Sequence, residues 1–370
     1  MSTHVAPTQK VTKKKIKLIM HTPTLDDRPV YVAGNFNNWT AKDARFKMDR
    51  QTDGKYIFEF PEFVSALERI EYKYTRGGWD EVELDEYYNE ISNRILEVSD
   101  GNIRDVAYNW KIDGYTYPKK YYPIIELVAD NFDIPQMGKS RRVRAVLPYN
   151  YYQTDKQYPV IYMQDGQNLF DNAAPFGNWG MDKKMAVLTD MGAGDFIIVC
   201  VDHAESDRIL EYNPYRKTSI GFGEGKKYVR FLADTLKPFI DKKYRTKTER
   251  QFTGVGGSSM GGLISIYAGL MLPKIFGRLL VFSPSLWVSA NILSDSVRYT
   301  NIDDTRVYIY AGGNEGSSMI PNAQRFRTAL EQQGIGEESI DIFFSIDPDG
   351  KHTESRWGAE FPKAIKWLFF

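Results

Sequence analysis

The stretch Gly254-Val255-Gly256-Gly257-Ser258-Ser259-Met260-Gly261-Gly262 packs five glycines and two adjacent serines into nine positions. It stands between Gln251-Phe252-Thr253 and the apolar run LISIYAGLML, 263–272. Within it, Gly257-Ser258-Ser259-Met260-Gly261 matches G-x-S-x-G, and the match lies where that pattern has structural meaning, between a strand and a helix. A strand that reverses abruptly into a helix forces its turn residue into a strained backbone, and glycine at the flanking positions removes the collisions a side chain would make. Ser259 is then lifted above the sheet at a helix amino terminus, where oriented N–H groups favour the negative charge that develops in acyl transfer. The amide of Met260 is a candidate donor to that oxyanion.

Working outward, the chain from 124 to 370 alternates apolar strand candidates with helical stretches. The strands are ELVADNF (126–132), RRVRAVLP (141–148), YPVIYMQ (158–164), DFIIVCVD (195–202), RQFTGVG (250–256), RLLVFSP (278–284), RVYIYAG (306–312) and DIFFSID (341–347). KYVRFLADTLKPFIDKKY (227–244) is one of the stretches with a helical period. Strand and helix in alternation predict a mostly parallel sheet covered on both faces, with ligands at the carboxyl ends of its strands. Before it, residues 13 to about 112 read as short alternating segments, KKIKLIMHT, RPVYVAGNF, KYIFEFP, RIEYKYT and RDVAYNW, separated by turn residues. They predict an antiparallel β-sandwich over 1–114, with a proline- and tyrosine-rich linker at 115–123 and the α/β domain at 124–370.

At 370 residues the chain is long enough for two such domains. Its 48 basic and 48 acidic side chains cancel, which removes the strong field that nucleic-acid or anionic-membrane binding requires and favours a small or neutral ligand. Cys200 is the only cysteine, so no internal disulfide is available; its apolar setting suggests a buried, inert thiol. The first twenty residues carry no apolar stretch of signal-peptide length, and a cytoplasmic location is expected. Oligomeric state is not legible.

A serine hydroxyl needs a base. Of the four histidines, His4 and His21 precede the α/β domain and His203 lies upstream of the serine, which leaves His352 in DPDGKHTES, after the last strand candidate. The acid that holds the imidazole should follow the intervening strand. Glu315 in RVYIYAGGNEG stands there. Asn314 cannot carry the charge, Asp347 and Asp349 read as turn residues near His352, and Asp303 and Asp304 precede the strand. A second oxyanion donor is expected from the loop Asp165-Gly166-Gln167-Asn168, either Gln167 or Gly166. FGNWGMD and HAESDRILEYNPY follow strands on the same edge and offer Trp179, Arg208, Glu211 and Tyr212 to a substrate pocket, although Arg208 and Glu211 could pair to hold the loop. Trp287 in SPSLWV is a further candidate, as a pocket wall or as a cap on the core.

The motifs YPVIYMQDGQNLFD, RILEYNP, GGSSMGG, FSPSLW and GKH, in this order over 118–370, resemble the "Putative esterase" family, the α/β-hydrolases of the esterase D, feruloyl esterase and enterochelin esterase type. The resemblance implies Ser259 as nucleophile, His352 as base, Glu315 as acid and an oxyanion loop at Gly166 and Gln167. The acid is often aspartate in related hydrolases and here is glutamate. VYVAGNFNNWT, YKYTRGGWDEVE and ISNR resemble the immunoglobulin-like starch- and glycogen-binding modules. That resemblance implies sugar stacking on Trp39 and Trp79, with Lys73 and Asn93 as hydrogen-bonding partners; the first tryptophan of such modules can also pack internally.

These readings give a serine esterase with no metal or other cofactor, acting on acylated carbohydrates such as acetyl or feruloyl esters. A catecholate siderophore ester is the alternative substrate, and Arg208, Arg216, Arg141 and Arg142 are too scattered to decide for it. A catalytically inactive glycan-binding protein is the alternative of another class. Against it, all three triad candidates are present. No HExxH occurs, which disfavours a zinc hydrolase.

Overall fold

The computed structural model describes residues 15–24, 26–52, 54–65, 67–97, 101–171, 174, 177–299, 304–332 and 340–370. His4 and the leading residues 1–14 lie outside them. The chain divides into two compact units, Met1–Tyr117 and Pro118–Phe370.

In the first unit, period-2 sequences become short strands: β1 (Lys17–His21), β2 (Tyr31–Gly34), β3 (Asp49–Thr52), β4 (Lys55–Glu59), β5 (Arg69–Thr75), β6 (Glu83–Leu84), β7 (Arg94–Glu97), β8 (Asn102–Val106) and β9 (Asn109–Trp110), with one helical turn, α1 (Glu62–Ser65). They form a four-stranded sheet β3-β4-β1-β8, a three-stranded sheet β2-β5-β7 and a ribbon β6-β9. Alternate residues of both larger sheets, among them Leu18, Met20, Tyr56 and Phe58 with Val32, Ile70, Tyr72 and Tyr74, enclose one apolar core. The sandwich is not antiparallel throughout. β1 and β8 pair parallel, Leu18 opposite Ile103, and the chain between them passes through the remaining strands of both larger sheets, since parallel neighbours cannot be joined by a tight turn.

The second unit opens with a long hairpin, β10 (Ile124–Ile134) and β11 (Lys139–Leu147), and continues through β12 (Val160–Met163), α2 (Met181–Asp190), β13 (Ile197–Val201), α3 (Arg208–Tyr212), α4 (Gly225–Phe231), α5 (Lys237–Lys243), β14 (Thr253–Ser258), α6 (Met260–Met271), β15 (Arg278–Phe282), α7 (Asn291–Arg298), β16 (Arg306–Gly312), α8 (Met319–Glu331), β17 (Asp341–Asp347) and α9 (Glu354–Phe369). A π turn, Leu232–Leu236, joins α4 to α5 just before Pro238, which lacks the N–H a regular helix would use there. The eight strands lie in the order β10-β11-β13-β12-β14-β15-β16-β17, parallel from β13 onward and antiparallel at β10, β11 and β13.

Successive strand residues feed opposite faces. Tyr162, Val255, Val281 and Ile309 pack under α3 to α8, whereas Ile161, Met163, Phe282 and Tyr310 pack against α2 and α9. Burying both faces explains why these strands read as unbroken apolar runs. Cys200 lies free in the second of these layers, and burial pushes its thiol up to about 12. Among the described residues no helix is long and apolar enough to cross a membrane.

Candidate active site

The carboxyl ends of β12, β14, β15, β16 and β17, neighbours in the sheet, carry the polar residues that the sequence singles out. Ser259 is the single residue between β14 and α6, at φ 55° and ψ −119°. A non-glycine residue held there stores on the order of 1–3 kcal/mol of backbone strain. The turn is fixed by the Ser259 N–H donating to the Phe282 carbonyl at 2.9 Å and by the Ser259 carbonyl accepting from the Ser285 N–H at 3.1 Å. The flanking glycines are required by space: a Cβ on Gly257 would stand 2.9 Å from the Gly261 carbonyl carbon, and one on Gly261 2.9 Å from Asp165 Oδ2. That second contact brings the turn after β12 against the first turn of α6.

His352 follows β17, and its Nδ1 lies 2.7 Å from Glu315 Oε2. Glu315, just past β16, is fully enclosed, and its Oε1 accepts from the Gly312 N–H at 2.9 Å and from the Ser283 hydroxyl at 2.8 Å. The Ser283 oxygen in turn accepts from Trp357 Nε1–H at 2.9 Å, and the Trp357 ring meets the imidazole edge-on with centroids 4.7 Å apart. Nδ1 is thereby committed to the carboxylate, which leaves Nε2 as the basic nitrogen. The Ser259 hydroxyl itself pairs with Ser285 Oγ at 3.3 Å. Of the rival acids, Asp347 is bonded by Arg356 at 2.5 Å and Asp304 pairs with Arg278; the amide of Asn314 donates to the Asp349 carbonyl. Asp303 lies outside the described residues.

The oxyanion candidates sit on two adjoining turns. Met260 opens α6, so its N–H has no intrahelical acceptor. Gly166 and Gln167 begin a 3-10 turn after Asp165, a left-handed residue at φ 58°. A Cβ on Gly166 would lie 2.6 Å from Asp202 Oδ1, which accounts for the glycine. The Gln167 side chain is occupied elsewhere, its Oε1 accepting from the His203 N–H at 2.9 Å, so its backbone is the part left for a ligand.

Several substrate-binding expectations need correction. Arg208 grips Asp165 with two bonds of 2.6 and 2.8 Å, and burial within that pair leaves it a structural clamp on the turn after β12. Glu211 is enclosed and paired with Lys139 and Arg141, not with Arg208. Tyr212 is enclosed too, its hydroxyl oxygen accepting from the Asp165 N–H at 3.2 Å. Trp179 is buried, stacked on Phe282 at 5.4 Å. None of these three side chains is available to a ligand. Trp287, by contrast, is 59% exposed, two residues beyond Ser285.

Sequence reasoning missed Asp165, Ser283, Ser285 and Trp357. The two serines lay in the quoted FSPSLW, but only the fold shows that one supports the acid and the other meets Ser259. Glu354, at the start of α9, is also near His352 and Arg208, and desolvation raises its carboxyl above the usual range. Among the described residues no group of three His, Cys, Asp or Glu side chains is arranged to hold a metal ion.

In the first unit, Trp79 is 44% exposed and its ring centroid stands 6.2 Å from that of Trp39. Lys73 donates to the Ile91 carbonyl at 2.7 Å, and Asn93 Nδ2 to Glu71 at 3.2 Å.

Residues 134–368 match the model of the family described as "Putative esterase". An endo-1,4-beta-xylanase/feruloyl esterase of Xylanibacter ruminicola is 28% identical over 149 residues, 38% of this chain and 19% of that protein. An iron(III) salmochelin esterase of Escherichia coli O6:H1 is 25% identical over 216 residues, 54% of this chain and 48% of its own. Among solved structures, the enterobactin esterase of Shigella flexneri in the presence of enterobactin is similar in fold, with a TM-score of 0.53 and 15% identity over 96% of this chain and 92% of that one.

Proposed function

The chain belongs to the "Putative esterase" family and is a carboxylic ester hydrolase, and from that premise we propose that it is a serine esterase working through a covalent acyl-enzyme on acylated carbohydrates. The observation that carries the proposal is the preformed His352–Glu315 pair, after β17 and β16, together with a strained Ser259 after β14, all at the carboxyl edge of one sheet. In this reading Ser259 Oγ leaves Ser285 and passes its proton to His352 Nε2 as it attacks the ester carbonyl. Glu315 steadies the imidazolium, and the amides of Met260 and of Gln167 or Gly166 hold the oxyanion. His352 returns the proton to the departing alcohol, and a water activated by the same nitrogen then releases the acid.

Charge supports a neutral ester over an anionic iron complex. Of the arginines that could meet such a complex, Arg208 is engaged by Asp165, Arg142 by Asp202 and Arg141 by Glu211, and among the described residues Arg216 alone of the four has no carboxylate partner. The feruloyl esterase relative favours a hydroxycinnamoyl or acetyl sugar; the salmochelin esterase relative keeps a siderophore ester as the second reading. For the sandwich, the Trp39–Trp79 pair supports glycan stacking, since an indole face suits a pyranose ring.

The test is fluorophosphonate labelling with the modified peptide located by mass spectrometry. Labelling at Ser259 that vanishes in Ser259→Ala and falls steeply in His352→Ala supports the reading; a folded protein that takes no label overturns it. Hydrolysis of feruloylated and acetylated oligosaccharides against a catecholate trilactone then separates the substrates.

A further inference from the structure

Away from Ser259, a cavity of about 820 Å³ opens between the β10–β11 turn, the loop before α4, and α4 and α6. Its walls include the rings of Tyr215 and Tyr267, which meet edge to face at 5.5 Å, and the amide side chain of Gln136. Its rim carries Arg216, Lys226, Lys227 and Arg230 with the carboxylate of Glu224, and a second carboxylate, Asp295, accepts from the Tyr215 hydroxyl in the wall. Lys227 pairs with Glu224 at 2.6 Å and Arg230 reaches Asp234 at 3.5 Å, whereas among the described residues Arg216 and Lys226 have no carboxylate partner. In a chain whose 48 basic and 48 acidic side chains cancel overall, this is a local cationic excess.

The walls are preformed. Ser219 bonds the Val288 carbonyl through both its N–H and its hydroxyl, and Asn213 Nδ2 donates to Thr218 Oγ1 at 2.7 Å. At Gly223 the chain folds back so tightly that a Cβ would lie 2.2 Å from the Asn213 carbonyl oxygen. Tyr267 stands eight residues along α6 from Ser259, about 12 Å at the helical rise, so a group held here is not the ester group that Ser259 would attack.

We propose that this cavity is a second ligand site, built for an acidic oligosaccharide. The half-buried Tyr215 ring, backed by the buried Tyr267, suits a pyranose ring, and the Gln136 amide and Glu224 suit hydroxyls. The unpaired cations sit on two different elements, the loop and α4, and so match carboxylates spaced along a chain better than a single phosphate. The choice of a saccharide rests on the acylated-carbohydrate reading; the site itself does not depend on the triad.

The experiment is calorimetric titration of the full-length Ser259→Ala protein with trigalacturonate, with a neutral trisaccharide and with inorganic phosphate. The expected result is trigalacturonate binding about tenfold tighter than the neutral sugar, weakening as salt screens the charges. Arg216→Ala with Lys226→Ala should abolish that preference, while the same pair in the wild-type background leaves fluorophosphonate labelling of Ser259 unchanged. Trp39→Ala with Trp79→Ala should leave it intact. Equal binding of the two sugars, competition by phosphate as strong as by trigalacturonate, or loss of the preference in the tryptophan variant and not in the Arg216 and Lys226 variant overturns the proposal. Failure of labelling alone would count against the esterase mechanism and not against this site.

Discussion

Three donors surround Glu315: Gly312 N–H and the Ser283 hydroxyl on one oxygen and His352 on the other, with Trp357 donating to Ser283 from behind. Ser283 thus fixes which way the carboxylate faces the imidazole, and Ser283→Ala should lower kcat about tenfold to a hundredfold while KM stays close to wild type. Trp357→Phe, which keeps a ring but loses the N–H to Ser283, should act the same way more weakly. A kcat unchanged in both variants, or a loss confined to KM, would deny both residues a positioning role. Arg208→Ala leaves the Asp165 carboxylate, nearly enclosed, uncompensated beside the oxyanion turn. It should cost about 3–5 kcal/mol in a urea melt, and Arg208→Lys should restore little, because a single ammonium cannot make both bonds. Cys200 should resist a thiol reagent at pH 8 in the native protein and react only on unfolding, since its thiol sits at about 12.

At the scale of elements, the turn from β14 to α6 tolerates no added atoms. Gly257→Ala should destabilise by about 1–3 kcal/mol and reduce labelling of Ser259 more than its loss of stability explains, because the collision is with the backbone of Gly261. The start of α9 carries a different cost. Burial raises the Glu354 carboxyl, so its contribution to stability is present below the unfolded-state value and is lost as pH rises through the folded one. Glu354→Gln should accordingly melt above wild type at pH 7, with the gap closing near pH 4; a constant gap across that range would assign the effect to packing. Element by element, the apolar runs were legible as strands because both sheet faces are buried. The helix over 227–244 was legible too, but not its π turn, which depends on a single missing N–H at Pro238.

For the whole molecule, each unit encloses its own apolar core, one in Met1–Tyr117 and two layers on either side of the sheet in Pro118–Phe370. Residues 118–370 expressed alone should fold and keep their labelling at Ser259; a fragment that aggregates or melts without cooperativity would show that its core is incomplete. Composition, period and the glycine-flanked serine by themselves determined the two-part organisation, the sheet covered on both faces and the turn that bears Ser259. These are written in local rules: which residues alternate, which lack a side chain, which can follow a strand. The strand order, the parallel pairing of β1 with β8 and the partners of each charged side chain were decided only by the tertiary structure. Arg208 and Glu211, three residues apart, turn to Asp165 and to Lys139 and Arg141 because a buried charge takes whichever opposite charge the packing brings near, and sequence separation does not encode that distance.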